Sequence, residues 1–199
     1  MGLDSVELIY TVERYFNIEI KDAEAEQIGT VGAMVACVAA HLQIAPDTAA
    51  SSVYQAMHDN VCCYLKQLLP QQMIITAATP LREIVKFADW DAAFFQRQLE
   101  TGLGLEVPTL LYTWPVGGLG VPFRFFGSNR RQKPQQVSTT FKDLIGWLLA
   151  ANYKTVFVLP WLSYYDVQQA AVGLISECLS VPVPEIQLTD SFTNDLGVD

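Results

Sequence analysis

Two cysteine–histidine pairs come closest, by residue type and spacing, to a metal site. Cys37 and His41 are four residues apart in one apolar segment, and His58 and Cys62 are four apart in another. Residues at this spacing share a helix face, so two converging helices would offer two thiolates and two imidazoles to zinc. The plainer interpretation, which we favour, is that the thiols pack in a core and the imidazoles lie at helix edges. These are the only histidines, and neither is spaced to activate a nucleophile. We therefore expect no metal and no enzymatic activity.

Two other motifs indicate little chemistry. Gly117-Gly118-x-Gly120 lacks the lysine and the following helix that a phosphate-binding loop requires. The basic cluster at 130–133 lies among Ser, Asn, Pro and Gln, which is typical of a solvated loop. With a net charge of −9 on the whole chain, we expect no binding to nucleic acid.

The C-terminal and N-terminal segments of the sequence form one motif when the C-terminal segment is placed directly before the N-terminal one. The tail, 191–199, reads SFTNDLGVD, and residues 2–20 read GLDSVELIYTVERYFNIEI. The joined string resembles the centre of an acyl carrier protein, namely the loop after the first helix, the modification site and the long second helix. The resemblance implies a circularly permuted chain that is opened at the modification site.

The position of the family's serine is occupied here by Gly2. In acyl carrier proteins a serine that follows the Asp-Leu-Gly-x-Asp run carries 4′-phosphopantetheine, and an aromatic residue follows about four helical turns later. Gly2 precedes Phe16 by 14 residues, whereas Ser5 precedes it by 11. We interpret Gly2 as the equivalent of the serine and Ser5 as a residue of the first helical turn, which predicts no cofactor. The alternative is a functional carrier with phosphopantetheine on Ser5.

The resemblance also implies a docking role for acids on the second helix. Asp4, Glu7 and Glu13 match family positions that meet Lys and Arg of partner enzymes, whereas Arg14 and Tyr15 depart from the usual acidic continuation. The expected function is a protein-interaction or scaffold module in a biosynthetic context. The expected partner is a protein with a basic surface.

Charge is concentrated at the two ends of the chain. Residues 1–42 hold seven acids and two bases, and residues 163–199 hold six acids and no Lys or Arg, whereas 43–162 hold eight acids and ten bases. Such a field attracts basic protein surfaces. No apolar run approaches the ~20 residues of a membrane span, and the four cysteines lack a paired framework. We expect a cytoplasmic protein that does not enter a membrane.

The predicted fold is mainly α, with two helical bundles. Residues 1–42 together with 163–199 are predicted to form an acyl-carrier-like four-helix bundle, either within one chain or in a homodimer whose tails complete the partner's heads. The first element predicted for it is a strongly amphipathic helix that ends at Asn17 and is formed by Val6, Ile9, Tyr10, Val12, Glu13 and Phe16. A short acidic helix at 22–27, a helix capped by Thr30 and a helix from Ser163 complete the bundle.

The inserted region, 43–162, is predicted to be a second, fainter bundle. Helices are expected at 53–68, at 90–101 and, capped by Thr139 or Thr140, at 141–151. A short hairpin or extended arm is expected around the glycines of 109–126, and the β-branched run 154–159 suggests a strand. When Leu103 is set against Phe16, this region resembles a degenerate second carrier-like copy, with Asp89 opposite Gly2. The alternative is an ordinary helical domain with similar apolar spacing.

Overall fold

The described part of the chain is helical. The computed structural model describes residues 3–46, 51–69, 73–109, 139–157 and 163–198. Within these ranges it has nine α-helices and one 3-10 turn at Val183–Glu185, and no strand. The helices are α1 (Leu3–Phe16), α2 (Asp22–Ala25), α3 (Val31–His41), α4 (Ser52–Leu68), α5 (Leu81–Phe87), α6 (Ala92–Leu103), α7 (Phe141–Ala151), α8 (Tyr153–Val156) and α9 (Tyr164–Leu179).

Helix α1 buries one stripe and ends where its sequence predicts. Leu8, Val12 and Phe16 recur at intervals of four and are each at most 2% exposed. The chain leaves the helix at Asn17, whose φ of 54° is left-handed, a conformation that Asn tolerates better than most residues. The buried Ile20 then closes the turn against the core.

Helix α9 joins the two ends of the sequence in one core. It begins at its cap Ser163, whose hydroxyl accepts the N–H of Asp166, and it ends at Ser180 in the left-handed conformation. It packs against both α1 and α3. The C-terminal segment and the N-terminal helices therefore share one hydrophobic interior, with Phe192, Leu196 and Val198 also buried in it.

Three backbone hydrogen bonds fix the C-terminal loop onto the start of α3, where Thr30 and Ser191 form an isolated β-bridge. They run from Val31 N to Asp190 O (3.0 Å), from Gly32 N to Leu188 O (2.8 Å) and from Phe192 N to Gly29 O (3.2 Å). The side chain of Asp190 also accepts the N–H of Gln187 at 2.8 Å, which closes the loop on itself.

The same bonds recur in the inserted region at the start of α7, where Pro80 and Thr140 form the second β-bridge. They run from Phe141 N to Thr79 O (2.8 Å), from Lys142 N to Ala77 O (2.9 Å) and from Leu81 N to Thr139 O (3.0 Å). Thr79 is equivalent to Asp190 in this arrangement. Its hydroxyl accepts the N–H of Thr76, three residues earlier, at 2.8 Å, as the carboxylate of Asp190 accepts the N–H of Gln187. Within each segment, the residues that take part are offset from one another by the same numbers of positions in the two places.

Helices α6 and α1 also correspond. Phe95, Leu99 and Leu103 follow Leu8, Val12 and Phe16 by 87 residues, and the first two are fully buried. Gly104, which follows Asn17 by the same interval, ends α6 with a left-handed φ of 65°. Val107 is buried, as Ile20 is.

Helices α7 and α9 make the most extensive contact between two helices of the described structure. Gly173 of α9 lies directly against the backbone of Ala150 and the ring of Tyr153, so that a Cβ at this position would overlap both. Only glycine permits so close an approach of two helices. α4 packs against α6 and α7.

Two sequence-based expectations differ from the structure. The β-branched run at 154–159 is not a strand where it is described, because residues up to Val156 belong to α8, which Asn152 starts by accepting the N–H groups of Thr155 and Val156. α5 was not predicted, since its seven residues are too short to show periodicity. The hairpin expected at 109–126 lies, beyond Thr109, outside the described residues.

Candidate docking face and carrier site

The exposed side of α1 carries two apolar side chains beside an acid. Val6 is 54% exposed and Tyr10 is 61% exposed, and they are four residues apart on one helix face. Glu7 is exposed next to Val6, and Arg14 is exposed one turn beyond Tyr10. We call Val6, Glu7, Tyr10 and Arg14 the α1 face.

The sequence analysis named Val6 and Tyr10 together with Val12 and Phe16 as the residues that make α1 amphipathic, but Val6 and Tyr10 do not lie on its buried side. The buried stripe runs through Leu8, Val12 and Phe16 instead, with Ile9 partly buried at its edge. Periodicity detects that a helix has an apolar face, but it does not define the edges of that face when apolar residues such as valine and tyrosine also occur on the exposed side.

Glu13 has a structural partner as well as partial exposure. Its Oε1 accepts the backbone N–H of Ile20 at 2.7 Å, which ties the turn after α1 back to the helix. One of the three acids expected to dock a partner therefore also stabilises the exit of its own helix. Asp4 lies in the first turn of α1, but its side chain is outside the part of the structure that is described.

Ser5 lies in the first turn of α1 and is partly exposed. Helix N-termini favour phosphate and other anions. Gly2 lies outside the described residues, so the two alternatives for the site are not distinguished by geometry.

A polar cluster around Tyr15, near the C-terminal end of α1, holds this helix against α8 and α9. Tyr15 donates from its hydroxyl to the carbonyl of Tyr153 at 3.1 Å, and the two rings meet edge to face. Tyr153 donates to Glu177 Oε2 at 2.7 Å, and Lys154 Nζ pairs with Glu177 Oε1 at 2.6 Å. Burial raises the pKa of Tyr15 to about 12. The hydrogen bonds from Lys154 and Tyr153 lower the pKa of Glu177. This cluster fixes the orientation of α1, so that the α1 face is exposed to solvent.

Cys178 lies at the border between α9 and α1. Burial raises the pKa of its thiol, and a hydrogen bond with Thr11 acts in the opposite direction. The thiol is therefore protonated near neutral pH, which makes it a weak nucleophile.

The two cysteine–histidine pairs do not converge in the described structure. No group of three or more His, Cys, Asp or Glu side chains within the described ranges could hold a metal ion. His41 Nε2 lies 3.4 Å from Glu24 Oε2, whereas His58 lies 3.1 Å from Asp59 and stacks on Tyr54. Of the two thiols that were expected to pack in a core, Cys62 is buried and Cys37 is only partly buried. None of the described helices is both long enough and apolar enough to cross a lipid bilayer.

Comparison with known proteins gives one partial match. A segment of 34 residues is 61% identical to the acyl carrier protein of Wolinella succinogenes. The chain contains an acyl-carrier-like region. The segment makes up 17% of this chain and covers 45% of that protein, so the match spans less than half of the carrier protein's length. No protein-family model matches the chain, and no solved structure matches it.

Proposed function

We propose that this protein is a non-enzymatic, acyl-carrier-like interaction module that docks a basic partner through the α1 face. The observation that carries the proposal is the exposure of Val6 and Tyr10 beside Glu7, on a helix whose other side is buried. Exposed apolar side chains on a rigid, charged helix are typical of docking sites. The partial identity to an acyl carrier protein supports the same assignment.

The proposal includes a permuted order of carrier helices. α9 would be the first carrier helix, the loop at 181–198 the long loop, and α1, α2 and α3 the second, third and fourth helices. The packing of α9 on α1 and α3 supports this order, as do the bonds between the loop and the start of α3. Because these contacts form within one chain, we propose a monomer rather than a tail-to-head homodimer.

The proposal also includes a degenerate second copy in the inserted region. Its support is the repeated set of three backbone hydrogen bonds and the matching buried positions of α1 and α6. Phe94 of α6 stands where Glu7 stands in α1, and Arg97 stands where Tyr10 stands. The second copy therefore lacks the α1 face, and we assign docking to the first copy alone.

The partner is expected to combine basic groups with an apolar socket. The two segments that form the first bundle carry thirteen acids against Arg14 and Lys21, which steers basic surfaces toward it. Tyr10 would supply the buried apolar anchor, and Glu7 would pair with a Lys or Arg at the rim.

The test is a quantitative capture experiment from the source cell. Wild-type protein is compared with Tyr10→Ala and Glu7→Lys, and with the matched controls Ile74→Ala and Glu26→Lys, which alter an exposed apolar residue and an exposed acid away from the α1 face. We expect the same proteins to be retained by the wild type and both controls, to be lost with both α1-face variants, and to elute as salt is raised. Equal retention by all five proteins would exclude the α1 face as the docking site.

A second candidate function is a true carrier with 4′-phosphopantetheine on Ser5. The observation that favours it is the partial exposure of Ser5 in the first helical turn, where a phosphate is stabilised by the helix N-terminus. Intact mass is measured after co-expression with a phosphopantetheinyl transferase, for wild type and Ser5→Ala. A mass gain of one phosphopantetheine group that disappears in Ser5→Ala would establish the carrier and remove the non-carrying proposal. An unchanged wild-type mass would exclude the carrier.

A further inference from the structure

A second exposed face lies on α6, the helix that corresponds to α1 in the inserted region. Phe94 is 36% exposed, and Arg97, three residues later, is exposed on the same side of the helix. The ring of Trp90, just before α6, lies beside that of Phe94, with the two centroids 5.5 Å apart. We call Trp90, Phe94 and Arg97 the α6 face. It presents two aromatic rings and a cation.

The α1 face and the α6 face carry complementary groups in opposite order. Along α1, the acid Glu7 comes three residues before the ring of Tyr10. Along α6, the ring of Phe94 comes three residues before the cation of Arg97. Two antiparallel helices therefore bring Glu7 to Arg97, and the same register brings the two rings together. Such a contact joins a charge-assisted hydrogen bond to an aromatic pair.

The same antiparallel register also gives a partner to Arg14. Arg14 follows Tyr10 by four residues. Trp90 precedes Phe94 by the same interval, so the guanidinium would lie beside the indole ring. The carboxylate of Asp91, the next residue, is on the same turn, where its Oδ1 accepts the N–H of Phe94 at 2.6 Å. Arginine binds both aromatic faces and carboxylates. One placement of the two helices thus satisfies both charges and the exposed ring of the α1 face.

We propose that the α1 face docks on the α6 face of a second molecule of this protein. This inference rests on the docking role proposed for α1 and names its partner. Both faces are exposed in one molecule, so they meet between molecules. Each chain completes its own fold, and the contact is heterologous, with α1 of one molecule on the inserted region of the next.

The distribution of charge along the chain supports the same pairing. The two segments that form the first bundle hold thirteen acids and two bases, whereas 43–162 hold eight acids and ten bases. The first bundle of one molecule is therefore attracted to the inserted region of another and repelled by the other's first bundle. This asymmetry favours the α1-to-α6 contact over a symmetric contact between two α1 faces.

Sedimentation velocity of the full chain tests this contact. One helix from each molecule buries less surface than a standard interface, so association is followed from about 10 μM to about 1 mM protein. We expect the weight-average sedimentation coefficient to rise with concentration and to fall as salt is added. Glu7→Lys and Arg97→Glu each bring like charges together and should weaken association at least about tenfold. The matched controls Glu26→Lys and Lys142→Glu, at exposed positions of other segments, should associate like the wild type.

An equimolar mixture of Glu7→Lys and Arg97→Glu separates loss of the contact from loss of folding. In the mixture, the unaltered Glu7 of one variant meets the unaltered Arg97 of the other, and the two altered side chains also have opposite charges. The mixture should therefore associate as neither variant does alone. The proposal is overturned if the wild type stays monomeric at every concentration, if either variant associates like the wild type, or if the mixture stays monomeric. Such a result leaves the docking role of the α1 face to the capture of other proteins, which tests it separately.

Discussion

Gly173 of α9 packs directly against the carbonyl group of Ala150 at the end of α7. Helices α7 and α9 also make the most extensive helix contact of the described structure. A Cβ at Gly173 would lie 2.0 Å from that carbonyl oxygen.

Gly173→Ala is therefore expected to destabilise the protein. Alanine favours a helix over glycine by about 1 kcal/mol, but its Cβ would overlap Ala150 and Tyr153, and overpacking of this kind typically costs about 1–3 kcal/mol. Urea unfolding should show a net loss of stability. Gly29→Ala is the control, because a Cβ there meets nothing within 4 Å. Equal midpoints for the two variants would contradict the packing described here.

Asp166 is expected to be the most sensitive buried acid. It is 2% exposed, and its Oδ1 accepts a hydrogen bond from the hydroxyl of Ser51, which caps α4. Asp166→Ala leaves the Ser51 hydroxyl without its acceptor, and a buried unsatisfied group costs about 1–3 kcal/mol.

Chemical denaturation of Asp166→Ala should therefore show a clear loss in the free energy of unfolding. Asp22→Ala, at an exposed position, should change this free energy little. A Ser51→Ala/Asp166→Ala double variant should lose less than the sum of the single losses, since the two side chains share one interaction. Strict additivity would argue against the contact.

The two threonine caps should make comparable contributions. Thr30 accepts the N–H of Ala33 at 3.1 Å, and Thr140 accepts the N–H of Asp143 at 3.4 Å within a capping box. Thr30→Ala and Thr140→Ala should each reduce stability by about 1 kcal/mol. Thr101→Ala, at an exposed site inside α6, is the control and should be neutral or slightly stabilising. Thermal melts of the three variants give the comparison.

Alkaline pH is expected to destabilise the packing of α1 around Tyr15. The pKa of Tyr15 is raised from 10.0 to about 12 by burial, so the folded state favours the neutral phenol. A raised pKa contributes stability that is fully present below 10 and lost as pH rises toward 12.

Melting temperatures measured between pH 8 and pH 12 should therefore fall more steeply for the wild type than for Tyr15→Phe. Tyr10→Phe is the control, because Tyr10 is exposed. If Tyr15→Phe and wild type show the same slope, ionisation of Tyr15 is not linked to unfolding.

The sequence by itself determined most of the described helices, although not α5 or α8. Thr30 caps α3 as predicted, and Thr140 is the one of the two predicted threonines that caps α7. The helix predicted from Ser163 begins there, and Asn17 ends α1 as predicted. Capping and left-handed exits depend on the chemistry of one or two neighbouring residues. The helix predicted at 53–68 is confirmed as α4, and that at 90–101 is shifted by two residues in α6. The acyl-carrier-like character was also readable from a short motif.

Tertiary structure alone decided which faces remain outward and which segments meet. Val6 and Tyr10 looked like core residues but are exposed, because burial depends on where α9 and α3 lie and not on hydropathy along α1. The histidines looked able to converge on a metal, but α3 and α4 present them to different neighbours. The contact of Gly173 with Ala150 and the bond from Ser51 to Asp166 join residues 23 and 115 positions apart. No local pattern encodes such separations, since they are fixed only when the whole core packs.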